Sequence, residues 1–184
     1  MLIWAAAGGV AAVTALVLGL MAMLGPGGPK HVLLTPSALS QYVRRPQLEA
    51  QMDANQLKQQ VIARSAGQAS HVVSAVYENS AGVSGKSAPQ IFLFIGGNLS
   101  GTSPSDFING FTGQFRGAVI TKAGSQGGQA VCVNAQASIP GTVALCAWAD
   151  NDTFGVLASP TMHAAQLGAQ MRVIRPGVEH IARQ

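Results

Sequence analysis

A chain of 184 residues suffices for one domain, or for a domain with an appendage. Hydrophobic residues make up 48% of it and charged ones 10%, with positive mean hydropathy, which excludes disorder for the bulk; Gly and Pro follow no period, which excludes collagen-like repeats. The net charge of +4 comes from 11 Lys and Arg against 7 Asp and Glu, scattered along the chain rather than clustered, so nucleic acid is not an expected partner.

Residues 2–24 carry no charged side chain, and Thr14 is the one conventionally polar residue among them. At about 1.5 Å per helical residue this stretch matches a hydrocarbon core of roughly 30 Å. Gly25-Pro26-Gly27-Gly28-Pro29 ends it. The expectation is a single-pass transmembrane anchor over 1–29, with the lipid bilayer as its first partner. A cleaved signal peptide is the competing reading, but the basic start is missing and Ala22-Met23-Leu24 lacks a small-x-small cleavage site. Ala7, Ala11, Ala15 and Gly19 form a small-residue stripe of the kind that lets helices approach closely in lipid. The stripe leaves two occupants open, a second copy of the chain (a homodimer) or another membrane protein.

Residues 30–45 read as a juxtamembrane linker. Thr35-Pro36 is placed to start one helical turn through Leu39, and Arg44-Arg45 are either solvated or near anionic headgroups. The folded domain is expected over 46–184. A modestly amphipathic helix over 46–65 opens it, with Leu48, Met52, Leu57, Val61 and Ile62 as its apolar face. A strand over 71–78 and a Gly- and Ser-rich loop over 79–88 follow. Ile91-Phe92-Leu93-Phe94-Ile95 is continuously apolar, as in a strand covered on both faces, and Gly96-Gly97 is expected to end it.

Ser103-Pro104-Ser105-Asp106 has the chemistry of a helix start, with Phe107, Phe111 and Phe115 as the buried face and Gly117 as the stop. A short strand over 118–122 precedes a hairpin, 131–135 and 142–148, whose turn contains Ser138-Ile139-Pro140-Gly141. Folding about Ile139 sets Cys132 opposite Cys146, within reach of a disulfide. Asp150-Asn151-Asp152 turns the chain into a strand over 153–158. Pro160 opens a last helix carrying Leu167, Met171, Ile174, Val178 and Ile181, which Pro176-Gly177 should interrupt or kink. The sum is α+β: an antiparallel sheet of about six strands with packed helices.

Topology rests on two opposed signals. Lys30, Arg44 and Arg45 after the apolar stretch favour a cytoplasmic domain by charge. A Cys132–Cys146 bridge requires an oxidising compartment, and long domains cross membranes despite flanking charge. The expectation is a cell-membrane protein with its C-terminal domain extracytoplasmic.

Recognisable chemistry is scarce. Gly85-Lys86-Ser87 lacks the earlier glycine of a phosphate loop, since position 80 is serine. Asp150-x-Asp152 begins like a calcium loop, but Phe154 and Thr161 occupy ligand positions, so a turn explains the acids better. His31, His71, His163 and His180 have no zinc-like spacing, and the cysteines are too far apart in sequence for a catalytic dithiol. No catalytic residue, metal or cofactor is therefore expected.

The chain resembles a group of actinobacterial single-pass membrane proteins with a small extracytoplasmic domain. The matching stretches are Leu33-Leu34-Thr35-Pro36, 111–116, 146–155 with its Cys-Ala-Trp-Ala-Asp-Asn-Asp-Thr-Phe-Gly run, and 171–176. The resemblance implies anchoring and the bridge and carries no activity. The leading expectation is a non-enzymatic binding or accessory module, a subunit or sensor docking onto a membrane partner. Two alternatives stand beside it: a cell-envelope enzyme using His71 or Cys132 and Cys146, and a small-ligand or lipid binder with an apolar cavity of about 300 Å³ or more.

Overall fold

The computed structural model describes residues 31–79, 89–136 and 142–181. Ala7, Ala11, Ala15 and Gly19 with the rest of 1–30, and the stretches 80–88, 137–141 and 182–184, lie outside the described residues. Among the described residues no helix is long and apolar enough to cross a membrane.

The chain runs β1 (His31–Leu33), β2 (Ala38–Leu39), β3 (Tyr42–Arg44), α1 (Pro46–Gln51), α2 (Ala54–Arg64), β4 (Ala69–Asn79), β5 (Ile91–Leu99), α3 (Pro104–Gln114), β6 (Val119–Thr121), β7 (Gln129–Gln136), β8 (Thr142–Ala149), β9 (Thr153–Ser159), α4 (Ala164–Val178) and β10 (Glu179–Ile181). Eight strands form one sheet in the order β2-β3-β4-β5-β9-β8-β7-β6, and β1 pairs with β10 in a separate ribbon. Every pairing is antiparallel. The fold is α+β, with two more strands in the main sheet than the sequence suggested.

The extra strands come from the stretch read as a linker. Leu33, Leu39 and Tyr42 are buried, and Tyr42 meets Phe92 edge-on at 4.9 Å between ring centres. Thr35-Pro36 starts no helical turn: the Tyr77 hydroxyl donates to the Pro36 carbonyl at 2.9 Å and Arg44 Nη1 to that of Thr35 at 3.2 Å, which holds the segment extended against β4. The two arginines are paired with acids, Arg44 Nε with Glu49 at 2.6 Å and Arg45 Nε with Glu78 at 2.8 Å.

Three further expectations change. The helix over 46–65 is two, because Asp53 adopts a left-handed conformation (φ 50°) between α1 and α2, a state that Asp tolerates better than most residues. Gly96-Gly97 continue β5 instead of ending it. A Cβ at Gly96 would sit 2.7 Å from Leu33 Cδ1 and the Phe154 carbonyl oxygen, so glycine here serves close approach. The last helix starts at Ala164, not Pro160, and runs through Pro176 to Val178 without interruption; Ile181 lies beyond it in β10.

Both faces of the sheet are covered, which is why Ile91–Ile95 reads as continuously apolar. On one face α4 packs over Phe92, Phe94, Cys132, Cys146, Trp148 and Leu157 through Leu167, Met171, Ile174 and Val178. On the other, α1 and α2 cover Val76 and Leu93 through Leu48, Met52 and Ala54, while α3 covers Val131 and Ala147 through Ile108. The route of the chain explains α3's position. It carries the chain from central β5 to edge strand β6, so it crosses the face over β7 and β8.

Cys132 lies opposite Cys146 across β7 and β8, with Cα atoms 4.1 Å apart, and the two are joined in a disulfide. The short Cα distance suits a non-hydrogen-bonded antiparallel pair. The bridge lies under α4, where a Cβ at Gly168 would come within 3.0 Å of Cys132 Sγ. A disulfide at this position suggests an oxidising compartment and hence an extracytoplasmic domain.

Candidate functional site

Between α2 and α3 the central strands are left partly uncovered. Ile95 and Leu99 of β5 and Phe154 of β9 form the floor of a groove of about 470 Å³, with Leu57 and Val61 on one wall and Phe107 and Phe111 on the other. Gln60, Arg64, Gln68, Asp106 and Gln114 make a polar rim. Phe107 rests against Phe154 at 5.3 Å between ring centres.

The local sequence explains why the groove is open. The apolar face of α2 is narrow, and it buries Ala54 alone. Helix α3 begins where expected: the Ser103 hydroxyl accepts from the Asp106 amide at 3.1 Å and donates to its carboxylate at 2.7 Å. Its buried residue, however, is Ile108; Phe107, Phe111 and Phe115 are half-buried. The every-fourth phenylalanine row that sequence reading took for a core stripe therefore lies partly in the groove wall. Gly110 lines the groove as well, and a Cβ there would meet nothing within 4 Å.

A second cluster lies on the opposite face, at the sheet end near β10. Arg175 of α4 is 1% exposed. Its Nε donates to Glu179 Oε2 at 2.7 Å, its Nη1 to the carbonyls of Ala123 at 3.1 Å and Gly127 at 2.6 Å, and its Nη2 to Asp150 Oδ2 at 2.5 Å. The guanidinium also lies over the Trp148 ring at 5.6 Å, a cation–π distance. Asp150 Oδ1 accepts from the amides of Asp152 at 3.1 Å and Thr153 at 2.8 Å, the hydrogen bonds of a turn and not of a calcium loop. Asp152 accepts from the His31 amide at 2.8 Å, and its carboxylate lies 3.2 Å from His31 Nδ1.

Burial raises both carboxyls of this cluster, with different outcomes. At Glu179 burial wins over the Arg175 hydrogen bond, and the group titrates above the usual glutamate range. At Asp150 burial is outweighed by the amides of Asp152 and Thr153, the side chain of Glu179 and the Thr153 hydroxyl, so it titrates below the usual aspartate range. Arg175 thus joins α4, the β6–β7 loop, the β8–β9 turn and β10, with each of its three nitrogens bonded to protein groups. That is the chemistry of a structural clamp.

The remaining candidates do not converge. His71 stands exposed in a bulge of β4, with φ 49°, while Cys132 and Cys146 lie on β7 and β8 beneath α4 and are bonded to each other. His163 occupies the N-cap position of α4 without a side-chain capping bond, and His180 Nε2 lies 3.0 Å from the Gly177 carbonyl oxygen. The gathering of Arg175, Glu179, Asp150 and Asp152 escaped sequence reading, which saw dispersed acids; the i,i+4 spacing of Arg175 and Glu179 was the one available signal. No family model, curated protein or solved structure matches the chain.

Proposed function

We propose that this protein is a membrane-anchored extracytoplasmic binding module, an accessory subunit or sensor domain rather than an enzyme, and that the α2–α3 groove receives an apolar segment of a membrane partner. The groove is the observation that carries this reading: an apolar floor of Ile95, Leu99 and Phe154 within a rim of glutamines and single charges. Partner sites have this anatomy, an apolar centre ringed by polar groups. Support for the anchor comes from the uncharged stretch 2–24, and for the compartment from the disulfide.

Co-purification of the full chain from detergent extracts, wild type beside Gly110→Leu, tests this. A leucine side chain at 110 enters open space, so the fold is expected to survive while the groove fills. A partner that follows the wild type and is lost with Gly110→Leu supports the reading. Free protein in both extracts, or a partner retained by both, overturns it.

The size of the groove favours a second reading, a small apolar ligand, since about 470 Å³ falls within the range of small-molecule sites. Binding of an apolar fluorescent probe to the wild type and not to Gly110→Leu, with no partner recovered, would replace the first reading with this one.

A further inference from the structure

We propose that the β1–β10 ribbon is the face of the domain that lies against the lipid surface, with Leu34 and Ile181 entering the interfacial layer. The inference rests on the anchored reading above and adds an orientation to it. Ile181 is 78% exposed and Leu34 48% exposed. Together with Val32, Gln126, Glu179 and His180 they line one open depression at the ribbon. Isolated exposed apolar residues are ordinary, but apolar residues sharing a patch mark an interaction surface.

The tether says what covers this patch. The apolar stretch ends at Leu24 and β1 begins at His31. Seven residue steps span at most about 25 Å even when fully extended. A domain of this size has a radius of gyration of about 15 Å, so the leash is shorter than the domain is wide. The entry point at His31 therefore stays toward the bilayer, and the patch is built on the same ribbon.

His31 is also held firmly. Its backbone amide and ring nitrogen engage Asp152, and its carbonyl accepts from Asn98 Nδ2 at 2.7 Å. Leu33 is buried beneath the ribbon. The leash thus pulls on a strand fixed to the sheet, and a pull at β1 is transmitted to the orientation of the whole domain. The exposed Val119 and Ile120 of edge strand β6 belong to the main sheet and not to the entry ribbon, and they supply the internal control.

The test uses the full chain in phosphatidylcholine vesicles that carry nitroxide-labelled lipids. Ile181→Cys and Ile120→Cys are each labelled with an environment-sensitive fluorophore under non-reducing conditions, which leaves the native disulfide intact. The expected result is a blue shift and several-fold quenching at 181, with little of either at 120. Leu34→Asp in the Ile181→Cys background should weaken the quenching while circular dichroism stays unchanged. Equal, unquenched signals at both sites in protein that resists alkaline extraction overturn the orientation and leave the anchor standing. Loss of the protein from the vesicles on alkaline extraction overturns both.

Discussion

The two faces of the sheet are held in different ways. On one, a single helix of 15 residues buries Leu167, Gly168, Met171, Ile174, Arg175 and Val178, and the disulfide and the Arg175 clamp reinforce it. On the other, three shorter helices share the surface; α2 buries Ala54, α3 buries Ile108, and α1 buries none of its residues. Helix α3 also contains Gly110 and Gly113, each unfavourable by roughly 1 kcal/mol relative to Ala in a helix interior. Local opening is easiest where few apolar contacts must break. One face is thus a staple for the domain, and the other is the one that can yield. Hydrogen exchange measures this directly: α4 amides should exchange through global unfolding, and α3 amides through local opening.

The largest expected effect tests the rigid face. Arg175→Met removes the cation between Glu179 and Asp150 and should cost about 3–5 kcal/mol in denaturant unfolding, because uncompensated buried carboxylates remain. The deficit should shrink as the pH falls, since Glu179 already holds its proton above the ordinary range and protonation removes the stranded charge. A loss below about 1 kcal/mol would mean the clamp resembles a surface pair.

Next is the disulfide. Cys132→Ala with Cys146→Ala should lower stability by about 3 kcal/mol through the freed loop, and exchange should quicken in α4, which opens with the whole fold, while α3, which opens locally, changes little. Equal acceleration in both helices would show that the faces unfold together.

Ile108→Ala addresses the yielding face. A cost of about 2–3 kcal/mol is expected, at the lower end for buried isoleucine because α3 can settle into the space. Exchange should rise in α3 well before α4. Ser103→Ala should cost about 1 kcal/mol by leaving the Asp106 amide without its cap, again with α3 affected first. An equal response of α4 to either variant would erase the contrast between the faces.

Acid gives the smallest effect. The Arg44 hydrogen bond holds the Glu49 carboxyl below the usual glutamate range. A depressed carboxyl contributes stability above its ordinary titration range, and that contribution is lost as the pH falls through the lowered value. Glu49→Gln should therefore flatten the acid limb of the stability profile slightly. An unchanged profile would mean that solvent screens the pair fully.

Local features were the legible ones. The cysteine register followed from counting about one turn, and the Ser103 cap from four residues whose roles are set by the first turn of a helix. The α+β class followed from strands that alternate or run apolar between turn residues. Features that depended on partners distant in sequence were misread. Residues 31–44 looked like a linker because their strands are two or three residues long and carry no periodic signal; β4, β10 and Phe92 make them part of the fold. Gly96-Gly97 looked like a strand end because the nearness of Leu33 and Phe154 cannot be seen along the chain. Pro176 looked like a helix break, yet it falls in the last turn of α4, where the chain passes into β10.

The groove and the clamp belong to this second group. Sequence by itself determined the apolar stretch 2–24, the Ser103 helix cap, the α+β class and the pairing of Cys132 with Cys146, because each is governed by periodicity or by neighbours within a few residues. Tertiary structure alone decided that Phe107 and Phe111 line an opening above Ile95 and Phe154, and that Arg175 meets Asp150 across 25 positions. Burial and charge pairing are properties of surfaces brought together by folding, and no local rule ranks one phenylalanine or one arginine above another before that meeting occurs.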